Sequence, residues 1–232
     1  MSNLSRAACG HQRWILLALG ASAALSAADP LVVNGELETA DPTDATRALS
    51  WDRPDGLGIQ WLTAPGSEHG RALRFDTNVT EQQMMAQWQK MGITDWTIPA
   101  ASNEPVGATY GLSLYSATFA ITAGQPYKVL VDHCGEGGGK IWVRGYVEKK
   151  GRKGRVYEAV AETSPSRDWR AITYVFHPTK THPKAPNQPK PTEMKVMLFA
   201  YWPAGVSWFD NIRVETATEE ELALEEARKP GK

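Results

Sequence analysis

Between Leu31 and Val214 the chain passes through ten short β-prone stretches, most of them closed off by residues that end strands. The stretches are Leu31–Val33, Ile59–Leu62, Ala72–Phe75, Gly111–Ile121, Tyr127–His133, Ile141–Glu148, Arg155–Val160, Trp169–His177, Met194–Trp202 and Val206–Val214. The punctuation is Ala64-Pro-Gly, Thr122-Ala-Gly, Gly137-Gly-Gly and the Pro-rich run from Pro178 to Pro191. Many strands at short spacing with such turns predict a sandwich or barrel. Helix is scarce. Thr80–Met91 reads as one helix with Thr80 as its N-cap, and residues 216–232 read as a charged, solvated helical tail that frays at Lys229-Pro230.

Residues 1–28 read as a secretory signal peptide. Arg6 and Arg13 supply the positive region, Trp14–Ala24 is uncharged and apolar, and Ser26-Ala27-Ala28 offers small residues for cleavage. The apolar run is too short to span a bilayer comfortably, so cleavage is expected rather than anchoring, leaving no membrane span. The mature chain is therefore expected outside the cytoplasm, periplasmic or secreted. Cleavage shifts the formal charge from −1 towards −3. No nucleic-acid partner is expected from so even a balance. Cleavage also removes Cys9 and leaves Cys134 alone, so a disulfide cannot staple the domain and a core or a metal must.

The motifs of metalloproteases, serine hydrolases, P-loop enzymes and paired-cysteine metal sites are missing from the sequence. Gly135-Glu-Gly-Gly-Gly139 lies between two strands, without the helix a phosphate loop requires, and reads as a hairpin turn. Asp132, Glu136 and Glu148 are carboxylates of the kind a glycosidase needs, yet no spacing singles out a pair. Asp132 and His133 point to opposite faces of one strand. A catalytic role is therefore not the expectation, although a small polysaccharide-active enzyme stays open.

Strand alternation along Ile141–Glu148 gives a clearer signal. Ile141, Val143, Gly145 and Val147 share one face; Trp142, Arg144, Tyr146 and Glu148 share the other. The first set is a core face. The second interleaves rings with charged hydrogen-bonding groups, which suits a sugar: C–H faces pack on rings while hydroxyls pair with Arg or Glu. The alternative is that Trp142 and Tyr146 pack under a loop. Tyr201 and Trp202, and the other tryptophans, are read as core or rim packing. Lys149-Lys-Gly-Arg-Lys-Gly-Arg155 is a basic hairpin tip, either a site for an anionic polymer or, by default, a solvated turn.

The two ends of the mature chain carry Leu31-Val-Val-Asn-Gly-Glu-Leu-Glu38 and Val206-Ser-Trp-Phe-Asp-Asn-Ile-Arg-Val214. Between them stand Gly70-Arg-Ala-Leu73, Ala123-Gly-Gln-Pro-Tyr127 and a strand from Trp169 to Phe176. In this order the five segments resemble the jelly-roll carbohydrate-binding modules of the xylan- and cellulose-binding type, in the galactose-binding-like superfamily. The resemblance spans roughly residues 31–215. It implies an all-β sandwich of jelly-roll type for residues 29–215, with a short helical insert and a short C-terminal helix.

The resemblance also implies a structural calcium ion held by the carboxylates of Glu38, Glu68 and Asp210 and the carbonyls of Glu36 and Arg71. Three carboxylates with backbone oxygens suit a hard cation. For sugar it implies Tyr110 as a stacking ring beside Trp142, Arg144 and Tyr146, with Tyr157 from the hairpin partner. The insert from about Asp76 to Val106 and the loop Pro178–Pro191 depart from the pattern, and either is placed to cover the sugar-binding face. The function implied is non-catalytic binding of a poly- or oligosaccharide. The alternative is a structural module whose partner is another exported protein.

Overall fold

The structure is a computed structural model that describes residues 30–94, 97–181 and 186–228. The expected signal peptide, Trp96 and the Lys229-Pro230 end lie outside these residues. In chain order the elements begin with β1 (Ala40–Asp41), β2 (Asp44–Ala48), β3 (Ile59–Thr63), β4 (Arg71–Asp76) and helix α1 (Glu81–Lys90). Next come β5 (Leu112–Tyr115), β6 (Phe119–Ala120), β7 (Tyr127–Gly135), β8 (Gly138–Lys149) and β9 (Arg152–Glu162). The chain closes with β10 (Ser166–Phe176), β11 (Glu193–Tyr201), β12 (Val206–Thr216) and helix α2 (Glu219–Arg228).

Two antiparallel sheets carry the fold. The first has the order β10-β7-β12-β4-β3; the second has β5-β11-β8-β9, with β6 also paired to β11. From β7 onward the chain moves between them, so neighbours in space are distant in sequence. That is a jelly-roll sandwich, as the resemblance implied. Alternation decides the inner faces. Leu73, Phe75, Val129, Val131, Phe209, Ile212 and Val214 point inward from the first sheet. They meet Ile141, Val143, Met194, Val196, Leu198, Leu112 and Leu114 of the second in one buried cluster. Burial of that interface is the main stabilising term.

Several expectations change. Leu31–Val33 is not a strand: residues 31–36 form turns, held beside β12 by Leu31 N–H to Val214 O (2.9 Å) and Ile212 N–H to Gly35 O (2.9 Å). Gly111–Ile121 breaks into β5 and β6 around Ser116, whose hydroxyl accepts from Val196 N–H (3.0 Å). Gly135–Gly139 is not a hairpin turn, because β7 and β8 belong to different sheets. It is a corner packed against residues 202–207: a Cβ at Gly138 would stand 2.2 Å from the Trp202 carbonyl oxygen.

The helix at Thr80 forms as expected, with a capping box between Thr80 and Gln83. Met84 is buried against Gly58 and Leu112, and Gln87 donates to Asp55 O (2.5 Å), so this insert is tied to the β3 edge. The connection after β10 is tied to the edge of the second sheet through Gln188 to Val156 O (2.5 Å) and Thr192 N–H to Tyr146 O (2.9 Å). The tail is docked rather than solvated. Leu222 of α2 packs with Ala217 and Val175 on the outer face of the first sheet, and Lys128 pairs with Glu221 (2.9 Å). Among the described residues no helix is long and apolar enough to cross a membrane.

Candidate functional site

The outer face of the second sheet is where chemistry-bearing side chains collect. On β8 the alternation holds as expected: Ile141 and Val143 are in the core, while Trp142, Arg144 and Tyr146 are half-buried on the opposite side. Register brings the neighbours. β11 sets Lys195 opposite Arg144 and Met197 opposite Trp142, β5 sets Tyr115 opposite Met197, and β9 sets Glu158 opposite Arg144.

Arg144 is the centre of this face. Its Nη1 donates to the Tyr115 hydroxyl (2.6 Å), and its Nε lies 3.4 Å from Glu158. Its guanidinium stands 5.3 Å from the Trp142 ring centre and 5.9 Å from that of Tyr115. With its side chain only 18% exposed, Arg144 is oriented by the Tyr115 hydroxyl at Nη1 and by the charge of Glu158, while its buried Nε makes no hydrogen bond among the described residues. Lys195 approaches the Tyr115 ring at 5.9 Å. Burial pushes the Tyr146 hydroxyl above its ordinary pKa, so it stays a neutral donor. A pocket of about 250 Å³ opens beside these groups, lined by Asp52, Tyr115, Thr118, Tyr146, Lys153, Glu193 and Lys195.

Rings continue along β11 to the far end of the sheet. Phe199 and Tyr201 stack at 5.4 Å, Lys140 lies 5.0 Å over the Tyr201 ring, and Trp202 is 63% exposed. Tyr110, 46% exposed, precedes β5 at this same end, because β5 pairs Leu112 with Ala200. Tyr201 is half-buried and Trp202 exposed, which places both at the rim of the sheet rather than in the core. The Met194–Trp202 segment looks apolar on both sides only because its outer positions carry Met197, Phe199 and Tyr201. Tyr115, Lys195 and Phe199 were missed by sequence reasoning, and Tyr201 and Trp202 were weighed only as core or rim packing; the period-2 signal was present, but the sheet order that groups them was not.

Tyr157 is a correction. It pairs with Gly145, on the inner side of the sheet, and packs 6.3 Å from Phe176. It does not share a face with Trp142. The carboxylates considered for catalysis are also scattered. Asp132 lies on the first sheet and accepts from Asn211 (2.8 Å), Glu136 is exposed at the corner beside Arg167 (3.2 Å), and Glu148 is exposed near the hairpin tip.

The expected calcium donors sit in one neighbourhood but are not gathered into one set. Glu38 accepts the Arg71 N–H (2.8 Å), nestled where a Gly70 Cβ would stand 2.1 Å from its Oε1. Asp210 faces His69 Nδ1 at 3.0 Å and accepts from Asn211 N–H (2.7 Å). His69 in turn stacks on Trp169 at 3.9 Å, whose indole donates to Pro65 O (3.0 Å). Glu36 and Glu68 are exposed. Among the described residues no three His, Cys, Asp or Glu side chains come close enough to hold a metal. A hard cation needs several converging oxygens, and an imidazole now fills the place beside Asp210, so these residues do not fit calcium. Burial pushes Asp210 up to about 6, with the Asn211 N–H and His69 pulling the other way.

No family model matches the chain, and no curated protein matches it in sequence. Similar solved structures include the enzymatically active domain of tailspike protein 4 from bacteriophage CBA120 (8% identity, TM-score 0.49), aligned over 81% of this chain. This chain spans only 21% of that much longer protein. A family 16 carbohydrate-binding module aligns at 13% identity and TM-score 0.43, over 79% of this chain and 98% of the module. The N-terminal cellulose-binding domain of Cellulomonas fimi β-1,4-glucanase C aligns at 15% identity and TM-score 0.39, over 73% of this chain and 90% of that domain.

Proposed function

We propose that this chain is an exported, non-catalytic carbohydrate-binding module whose ligand lies on the outer face of the second sheet. One observation carries the reading: Tyr115, Trp142 and Tyr146 surround an Arg144 clamped between a hydroxyl and a carboxylate. Rings supply flat apolar platforms for the C–H faces of a pyranose. Arg144, Glu158, Lys195 and the Tyr146 hydroxyl supply directional hydrogen bonds to its hydroxyls. The scatter of Asp132, Glu136 and Glu148 over different surfaces supports binding without cleavage, since glycoside hydrolysis needs two carboxylates across one cleft. Export rests on the N-terminal pattern of Arg6, Arg13 and the apolar run.

A glycan array on residues 29–232, followed by affinity electrophoresis, tests the proposal. Trp142→Ala is expected to weaken binding to the best neutral glycan by roughly 1–3 kcal/mol with an unchanged melting temperature. Silence of a well-folded sample across a broad array would overturn it in favour of an exported protein partner.

A further inference from the structure

The basic hairpin tip has a structural setting that the Trp142 face does not explain. Two adjoining cavities, of about 690 and 530 Å³, run along the edge of β9 and share Val156 and Pro189. The tip contributes Lys149, Lys150, Arg152 and Lys153. Arg155, Lys180 and Lys190 line the other half. Among the described residues Glu158 is the one carboxylate lining either cavity. In a chain of near-zero net charge this is a local concentration of cations.

Some of that charge is already balanced. Lys153 pairs with Glu193 (2.6 Å), Arg155 with Glu158 (3.1 Å) and Lys180 with Glu226 (2.5 Å). Lys149, Lys150, Arg152 and Lys190 form no ion pair with any described residue, and Lys190 is half-buried. Cations that carry no fixed counter-charge are free to pair with an arriving anion, and their clustering along one edge raises the local positive potential. His177 also lines this groove, with a buried Nδ1 that has no hydrogen-bond partner among the described residues. The hydrogen bond from Gln188 to Val156 O holds the groove's wall against the β9 edge.

Continuity identifies the kind of anion. Lys153 lines both this groove and the pocket that contains Tyr115 and Tyr146. A polymer leaving the aromatic face at that point passes directly onto the cationic edge. We propose that the β9 edge binds the acidic groups of a polysaccharide, uronate carboxylates or sulfate esters, whose ring faces occupy the aromatic face. The choice of a glycan rests on the carbohydrate reading above; the choice of an acidic one rests on the groove.

Affinity electrophoresis with polygalacturonate, heparin and neutral xylan separates the two. The wild type is expected to be retarded by at least one acidic polymer more than by xylan, with retardation falling as salt rises. The triple variant Lys150→Gln, Arg152→Gln, Lys190→Gln is expected to lose tenfold or more on the acidic polymer while keeping its neutral-glycan binding. Should the triple variant melt early, Lys150→Gln with Arg152→Gln alone, both exposed at the tip, is expected to lose threefold or more. Wild-type affinity in these variants, or no preference for acidic over neutral polymer, overturns the groove and leaves the aromatic face standing. Equal retention by duplex DNA at the same salt overturns the assignment to a glycan. Acidic binding lost in the triple variant but indifferent to Trp142→Ala retains the groove and overturns the face.

Discussion

Trp142 and Tyr157 lie on adjacent strands, yet one faces solvent and the other the core. The cause is a single irregularity of register. Near the hairpin tip Glu148 pairs with Lys153 and Tyr146 with Arg155, but Gly145 then pairs with Tyr157, so β9 carries one extra residue. Had the tip register continued, Tyr157 would oppose Arg144 on the outer face, where sequence reasoning placed it. One inserted residue reverses the side-chain parity of everything beyond it. Nothing in the local composition announces that bulge. Tyr157→Ala is therefore expected to cost about 2–4 kcal/mol of stability in urea unfolding, as loss of a packed ring does. An unchanged unfolding midpoint accompanied by lost glycan binding would return Tyr157 to the ligand site.

At the scale of elements, the closing strand β12 is joined to its neighbours by side chains at the place where a metal was expected. The segment before β4 reaches β12 through His69 and Asp210, and Trp169 of β10 stacks on the imidazole from the far side. Three segments distant in sequence are thus tied through side chains. Chelator is expected to leave the melting temperature unchanged, whereas His69→Ala is expected to lower stability by about 1–3 kcal/mol, because it leaves a buried carboxylate without its partner. A fall of several degrees in chelator, reversed by calcium, would restore the metal. The family resemblance singled out the carboxylates at this place. Their commitments were not, because His69 carries no spacing signal and Trp169 looked like ordinary core. Strands with clean alternation, β3, β4 and β7 to β12, were legible for the opposite reason: period 2 is a local property. The aromatic face was half legible. Trp142, Arg144 and Tyr146 share a strand, but Tyr115 and Lys195 join them only through sheet order.

For the molecule as a whole, stability depends on the joint between the sheets, and one polar group is sealed inside it. His133 sits on the inner face of β7, 1% exposed, 5.1 Å from the Phe209 ring, with neither ring nitrogen hydrogen-bonded among the described residues. Burial pushes its pKa down to about 4, so the folded sandwich holds a neutral imidazole. The unfolded chain titrates near the ordinary value of about 6.5. Above that value neither state takes the proton, and the neutral histidine has no pH-dependent effect. Between about 6.5 and 4 only the unfolded state is protonated, so stability falls as pH falls; below about 4 the loss is complete. Asp210 has the opposite sign. Its folded pKa of about 6 lies above the unfolded carboxylate value, so its contribution is present in acid and is lost as pH rises through about 6. In the wild type the two offset each other across much of that window. Comparison of the wild type with His133→Leu separates them, since Asp210 is present in both. The variant's stability relative to wild type is expected to rise by roughly 2–3 kcal/mol between pH 7 and pH 4.5. Denaturant unfolding of both proteins across that range measures it. A pH-independent difference would mean that His133 accepts its proton in the folded state and that the joint between the sheets admits water.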